Sequence, residues 1–361
     1  MTALEGSTPE IVSRFEAVLR RKEVRQELER VLRSRWPAQP TDGIEFHVLK
    51  AHRDRCTFEA ASGTPEAERS VITKVYATDR LDVFAAMESL VAAGFGSTSE
   101  FAVAPALAYV PSHHVMIEEK VYGPSAMEVF MADDLEKQRS VAQRCGRWLG
   151  RFHSGAPNQG RLAEPKELLV GIRYWAHKIT GGGESLASKA ALLLQKLEAA
   201  LPAALAPFEP RAGHGSFMPE HVLLNGSRTV TIDFDEFDVA DPARDLAWFV
   251  VSLQRLGLKK RGSLRVHDQN VEAFLRAYVE SGPPKALSHL SFYRAAECLH
   301  RAHRDLLKRV PPIPDWSEMM LDEGIRALGW VRVARDQTRR EAAESPLTRS
   351  IRGLSQPRTG L

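Results

Sequence analysis

Residues 211–247 read RAGHGSFMPEHVLLNGSRTVTIDFDEFDVADPARDLA, and this stretch decides the fold. Val222-Leu223-Leu224 and Val230-Thr231-Ile232 are short apolar or β-branched runs. Asn225-Gly226 between them tolerates positive φ, so the pair predicts a β-hairpin. Folding about that turn brings His221, before the first run, close to Asp233, after the second. A loop, His214 to His221, enters the hairpin, and an acidic loop, Asp233 to Asp241, leaves it. Asp241-Pro242 reads as a helix N-cap with proline at N1. Leu246, Phe249, Val250 and Leu253 follow at helical spacing, with Gly257 placed to end that helix.

Loop, hairpin, Ile232-Asp233 and Asp241-Pro242-x-x-Asp245-Leu246-Ala247 together resemble the catalytic segment of the aminoglycoside phosphotransferase/choline kinase family. The family pattern is H-G-D-x-x-x-x-N followed by an I-D that holds magnesium. This chain has His214-Gly215-Ser216 and then His221 at the asparagine position. The resemblance implies an α+β, two-lobed, protein-kinase-like fold. A small antiparallel sheet with a helix would form the N-lobe, and a larger, mainly helical C-lobe would follow. It implies ATP or GTP as phosphoryl donor, magnesium or another divalent ion at Asp233 and His221, and a small-molecule acceptor. Ser216 occupies the position of the catalytic aspartate. A neutral hydroxyl is no base near neutral pH, and losing a general base costs on the order of 10² to 10⁴ in rate. Asp235 is the nearest carboxylate that could substitute, and Asp238 the next; the acidic run reads equally as a turn ending in an N-cap. Imidazole at position 221 suits softer divalent ions better than magnesium.

Upstream, the hydrophobic period is two from Gly43. Ile44, Phe46 and Val48 alternate with polar residues, Cys56 to Ala60 reads as a second strand and Ser70 to Tyr76 as a third. The first turn, Ala51-His52-Arg53-Asp54-Arg55, has no glycine. Arg53 and Arg55 could bind phosphate in place of backbone amides, and an ordinary exposed basic turn explains them as well. Lys74 lies mid-strand among apolar residues, where an ammonium needs a partner. The helix predicted over Asp82–Gly94 offers Glu88, on the stripe of Phe84, Met87 and Val91. The resemblance gives Lys74 and Glu88 the nucleotide-binding ion pair of the kinase fold. Val103–Tyr109 and Val115–Glu118 are further strands, and Glu118 to Gly123 resembles the connection between lobes that reads the nucleotide base.

Four segments follow: an N-terminal helical segment over 1–38, an N-lobe over 39–121, a C-lobe over 122–340 and a disordered tail over 341–361. Helix signals begin at Thr8-Pro9-Glu10 and run, highly charged, to Arg35 on a predicted surface. In the C-lobe, His153 at the end of a helical face reads as a core histidine. Glu297, His300 and His303 share one side of a helix and read as a solvated surface rather than a metal site.

At 361 residues and 43% hydrophobic content the chain can bury a large core. Forty-nine basic against 46 acidic residues, a formal +3, argue against a nucleic-acid partner. Three widely spaced cysteines argue against a disulfide framework. The absence of a signal pattern or long apolar run predicts a cytoplasmic protein without a membrane partner. Composition leaves the oligomeric state open. Three function classes remain: a phosphotransferase with impaired catalysis, a pseudokinase that binds ligand without turnover, and a purely structural interaction protein.

Overall fold

The structure, a computed structural model, describes residues 9–37, 43–62, 69–205 and 208–343. In chain order it contains α1 (Pro9–Leu19), α2 (Lys22–Arg35), β1 (Glu45–Ala51), β2 (Arg55–Ser62), β3 (Arg69–Tyr76) and α3 (Leu81–Leu90). There follow β4 (Phe101–Val103), β5 (Ala106–Val110), β6 (Val115–Glu119), α4 (Ala126–Met131), α5 (Leu135–Gly155), α6 (Pro165–Ile179) and α7 (Glu184–Ala204). The last elements are β7 (Arg211–Gly213), β8 (Val222–Asn225), β9 (Arg228–Thr231), β10 (Asp238–Ala240), α8 (Ala243–Arg261), α9 (Asp268–Val279), α10 (Leu290–Leu307) and α11 (Pro314–Ala343). Thr8 and the tail from Ser345 lie outside the described residues. No helix among the described residues is long and apolar enough to cross a membrane.

The chain forms two compact units, one from the residues before Pro165 together with Phe208–Leu287, the other from α6, α7 and the chain from Ser288 on. The first unit thus contains both the predicted N-lobe and the segment 211–247. Its main sheet is antiparallel, in the order β1-β2-β3-β6-β5. The charged helix α2 is amphipathic rather than merely superficial. Val24, Leu28, Val31 and Leu32 recur at helical spacing, are buried, and join Phe15 and Leu19 of α1 against Phe58, Val71, Val75, Val115 and Ile117 of the sheet. Each such fully buried side chain contributes roughly 1.5–3 kcal/mol.

The predicted strand Val103–Tyr109 is two strands. Pro105 lacks an N–H and cannot continue a ladder. The part before it, β4, leaves the main sheet and pairs in parallel with β9, Ala102 opposite Val230. The hairpin β8–β9 forms as expected, with Asn225 opposite Arg228 and Gly226 at φ 58°. Gly257 does not end α8. That helix runs to Arg261 and is capped by Gly262 at φ 67°. Gly257 is there for close approach, since a Cβ would meet the Ser263 carbonyl oxygen at 2.7 Å. Helices α5 and α9 also approach closely: a Cβ on Gly146 would sit 2.2 Å from the Phe274 carbonyl oxygen.

The second unit consists of α6, α7, α10 and α11. The helix face read as solvated is in fact buried. Glu297 and His303 are interior residues, with Glu297 2.5 Å from Arg301 and 3.1 Å from His300. Glu323, also buried, holds Arg294 at 3.1 Å and Arg326 at 2.6 Å. These charges face inward because each acid has cationic partners on or beside its own helix.

Candidate functional site

The loop 214–221 rests on a single buried carboxylate. Asp245, in the first turn of α8, accepts hydrogen bonds from His214 N at 2.7 Å and Gly215 N at 3.0 Å. Nε2 of His153 donates to the same carboxylate at 3.3 Å, and Nδ1 of His153 lies 2.9 Å from the Tyr278 hydroxyl. His153 is therefore a core histidine with a bracing role. Burial alone would raise the Asp245 pKa, but the hydrogen bond and charge of His153, with Arg244 and His214, pull it down to about 2. Gly215 has φ 80°, and a Cβ there would stand 2.0 Å from the Glu236 carbonyl oxygen. Only glycine lets the acidic loop lie against the 214–216 turn.

Phe217 fixes the next step of the chain. Its ring stacks on Trp148 at 5.4 Å and on Phe249 at 5.3 Å, and Phe249 stacks on Phe274 at 4.1 Å. Ser216, beside it, is nearly buried, and its carbonyl accepts from His221 Nδ1 at 2.9 Å. That bond places a proton on Nδ1, and Nε2 lies 3.4 Å from Asp233 Oδ2. The hairpin thus brings His221 and Asp233 together, with Ile232 N donating to the His221 carbonyl at 2.9 Å. Asp233 itself takes φ 66°, a left-handed conformation tolerated by aspartate.

The main sheet supplies the opposing charges. Lys74 of β3 is buried, and its Nζ lies 3.1 Å from Glu118 Oε1, 3.1 Å from Asp235 Oδ1 and 3.6 Å from Asp233 Oδ1. Ile72 is registered opposite Glu118 on β6, so Lys74 and Glu118 form a diagonal pair on one sheet face. Burial by itself would lower the Lys74 pKa; Glu118, Asp235 and Asp233 overcome it and hold the ammonium well above its ordinary value. Burial pushes Glu118 up against the pull of Lys74. Asp233 shows the reverse balance. Desolvation opposes its charge, yet Lys74, His221, Arg55 and Lys50 keep it far below the usual carboxylate range.

The expected pair of Lys74 with Glu88 is not formed. The buried stripe of α3 is Val83, Ala86, Met87 and Leu90, one position away from the predicted one, and this turns Glu88 to solvent. Arg53 is likewise exposed at the tip of its turn, where its carbonyl accepts from Arg14. Arg55, at the first position of β2, reaches inward to form an ion pair with Asp235 Oδ2 and stands 3.8 Å from Asp233 Oδ2. Asp235 is not free to act as a base. It is buried, its Oδ1 accepts from Lys74 and from Tyr76 at 3.0 Å, and its Oδ2 is held by Arg55.

Three participants were missed in the sequence. Tyr76 ends the strand that carries Lys74, Lys50 comes within 3.8 Å of Asp233, and Asp245 braces the loop. Glu118 was read as part of the lobe connection, yet its side chain serves as the lysine's partner. The available signal was a charge ending an apolar strand, Val115-Met116-Ile117-Glu118, beside another buried charge. The connection itself is clipped to the hairpin: Leu224 N donates to Pro124 O at 2.9 Å and Asn225 Nδ2 to Tyr122 O at 3.0 Å.

The resemblance implies a magnesium ion at Asp233 and His221, and the donor set does not suit one. Magnesium requires near-octahedral oxygen ligands at about 2.1 Å. Here one carboxylate and one imidazole nitrogen face each other, and both Asp233 oxygens already have a cationic neighbour. Among the described residues no three His, Cys, Asp or Glu side chains gather as a metal site. Beyond Asp235 a cavity of about 530 Å³ opens, lined by Asp82, Gln159, Arg161, Glu236, Phe237 and Asp238 among others.

Comparison with known proteins agrees with this architecture. No curated protein sequence matches the chain. A choline/ethanolamine kinase family protein from Mesorhizobium loti superposes with a TM-score of 0.55 at 18% identity, covering 89% of this chain and 95% of that one. A choline kinase from Streptococcus pneumoniae gives 0.55 at 12% identity, covering 85% and 99%. An amicoumacin kinase in complex with AMP-PNP and Ca²⁺ gives 0.54 at 13% identity, covering 85% and 94%. Residues 119–286 match the family model described as the phosphotransferase enzyme family. The chain has the α+β, protein-kinase-like fold, and its residues 119–286 match the phosphotransferase enzyme family.

Proposed function

We propose that the chain is a nucleotide-dependent phosphotransferase acting on a hydroxyl of a small molecule, with a slowed transfer step. The observation that carries the reading is the meeting of Lys74 and Asp233, remote in sequence, at 3.6 Å beside the braced loop 214–221. Phosphoryl transfer depends mainly on positioning and electrostatics, and both survive the loss of a loop carboxylate at Ser216. ATP or GTP would serve as the donor. The choline and amicoumacin kinases of similar fold support a small hydroxylated acceptor.

A second reading, nucleotide binding without turnover, is favoured by the closure of Asp235 between Lys74, Tyr76 and Arg55. Release of ADP or GDP against a panel of amino alcohols, sugars and aminoglycosides separates the two. The first reading expects slow, acceptor-dependent release by the wild type. It also expects Ser216→Asp to raise the rate by about 10²- to 10⁴-fold. No release by the wild type, with release gained by Ser216→Asp, supports the second. A thermal midpoint unmoved by either nucleotide defeats both, because a ligand bound only to the native state must raise it.

A further inference from the structure

The charges around Asp233 balance without any metal: Lys50, Arg55 and Lys74 face Asp233, Asp235 and Glu118. An ion close enough to ligate Asp233 would sit among three cationic heads, two of them shared with Asp235. Arg55 is the central one, because its two terminal nitrogens reach one carboxylate each. A guanidinium in that position does one thing that a bridging divalent ion does: it holds two carboxylates together, and its charge is already spent on them. Lys50 keeps 47% of its side chain exposed and stands 3.8 Å from Asp233 Oδ2, so it can turn to an incoming anion.

We propose that Arg55, with Lys50 and Lys74, takes the place of a divalent metal in this cleft, which therefore receives the polyphosphate of a nucleotide as a metal-free anion. The inference rests on the nucleotide reading of the same cleft. It also accounts for the glycine-free turn between β1 and β2. Where backbone amides have no glycines to form a cradle, the side chains flanking the turn, Lys50 and Arg55, supply the positive charge. It gives Asp233 an inverted role, since the carboxylate here restrains cations instead of ligating a metal. Removing its charge would free those cations for phosphate.

Calorimetric titration of ATP into the full chain, in EDTA and in magnesium, is the test, with manganese alone as a third titrant. The expected result is ATP binding in EDTA that is at least as tight as in magnesium, no heat from manganese alone, and Asp233→Asn binding ATP as tightly as wild type or more tightly. Lys50→Gln, at a half-exposed position that spares the fold, is expected to weaken ATP in EDTA by about tenfold or less. Arg55→Gln is expected to weaken it further and to make the remainder magnesium-dependent. ATP binding that requires magnesium and disappears in Asp233→Asn overturns the inference while leaving the nucleotide reading intact. ATP binding in neither buffer overturns both.

Discussion

Two of the places where the first unit buries charge are built differently. Under the loop, one carboxylate, Asp245, meets two backbone N–H groups and a histidine that is itself fixed by Tyr278. Above the loop, Glu118, Asp233 and Asp235 share Lys74, Arg55, Lys50 and His221. The lower site has one acceptor and donors that cannot turn elsewhere. The upper site has several partners for each charge, so removing one leaves the others paired. A buried ion gains little over an apolar substitute, but stranding its partner is costly. The lower site is therefore the brittle one, and the upper site is the one able to rearrange around a ligand.

Asp245→Ala tests the brittle side most severely. It strands two amides and an imidazole, and is expected to cost about 3–5 kcal/mol in urea denaturation. A cost no larger than that of Asp235→Ala would erase the distinction. Asp235→Ala is expected to cost only about 2 kcal/mol, because Lys74 keeps Glu118 and Asp233, and Arg55 keeps Asp233.

Acid should weaken the lower site first. Burial lowers the His214 pKa to about 4, while an unfolded histidine titrates near 6.5. As pH falls through that window the unfolded chain gains a proton that the native one refuses, so stability present above about 6.5 is lost toward 4. His267, also held near 4 by burial, adds to the same slope. The loss from His214 between pH 7.5 and 5.5 is on the order of 1 kcal/mol, and His214→Asn should flatten the profile. Asp233 contributes only at lower pH. Its stabilisation is present above the ordinary carboxylate pKa, near 4, and fades as pH falls below that. The smallest effect is expected from Tyr76→Phe, which removes one of several donors to Asp235: roughly 0.5–1 kcal/mol by thermal or urea unfolding, against no change if the hydroxyl bond adds nothing.

The hairpin, its turn and the approach of His221 to Asp233 were legible because period-two patterning and an Asn-Gly turn act locally. So was the burial of Lys74, since a lysine within SVITKVY leaves few other places for its side chain. Its partner was not legible. Glu88 and Glu118 both stand near apolar stripes, and a one-position shift of the α3 stripe turns Glu88 outward. Nor did the 235–238 acids reveal which one is enclosed, as that depends on Arg55 of β2 and Tyr76 of β3, paired on the sheet face that also carries Lys74. Gly257 misled for a related reason: its use is a tertiary contact, whereas helix ending is a local property.

The parallel strand β4 has a mechanical consequence. Besides the covalent crossing at 120–125, the backbone reaches the hairpin a second time, through Thr229 N to Glu100 O at 2.8 Å and Ala104 N to Thr231 O at 3.1 Å. The last strapped residue stands two places before Asp233, so the spacing between the sheet and this carboxylate is tied by main chain on both sides. A hinge sewn twice opens reluctantly. Guests would enter by rotamer swings of half-exposed Lys50, on the nanosecond scale, and stopped-flow mixing with nucleotide should show one concentration-dependent phase with no slower step behind it.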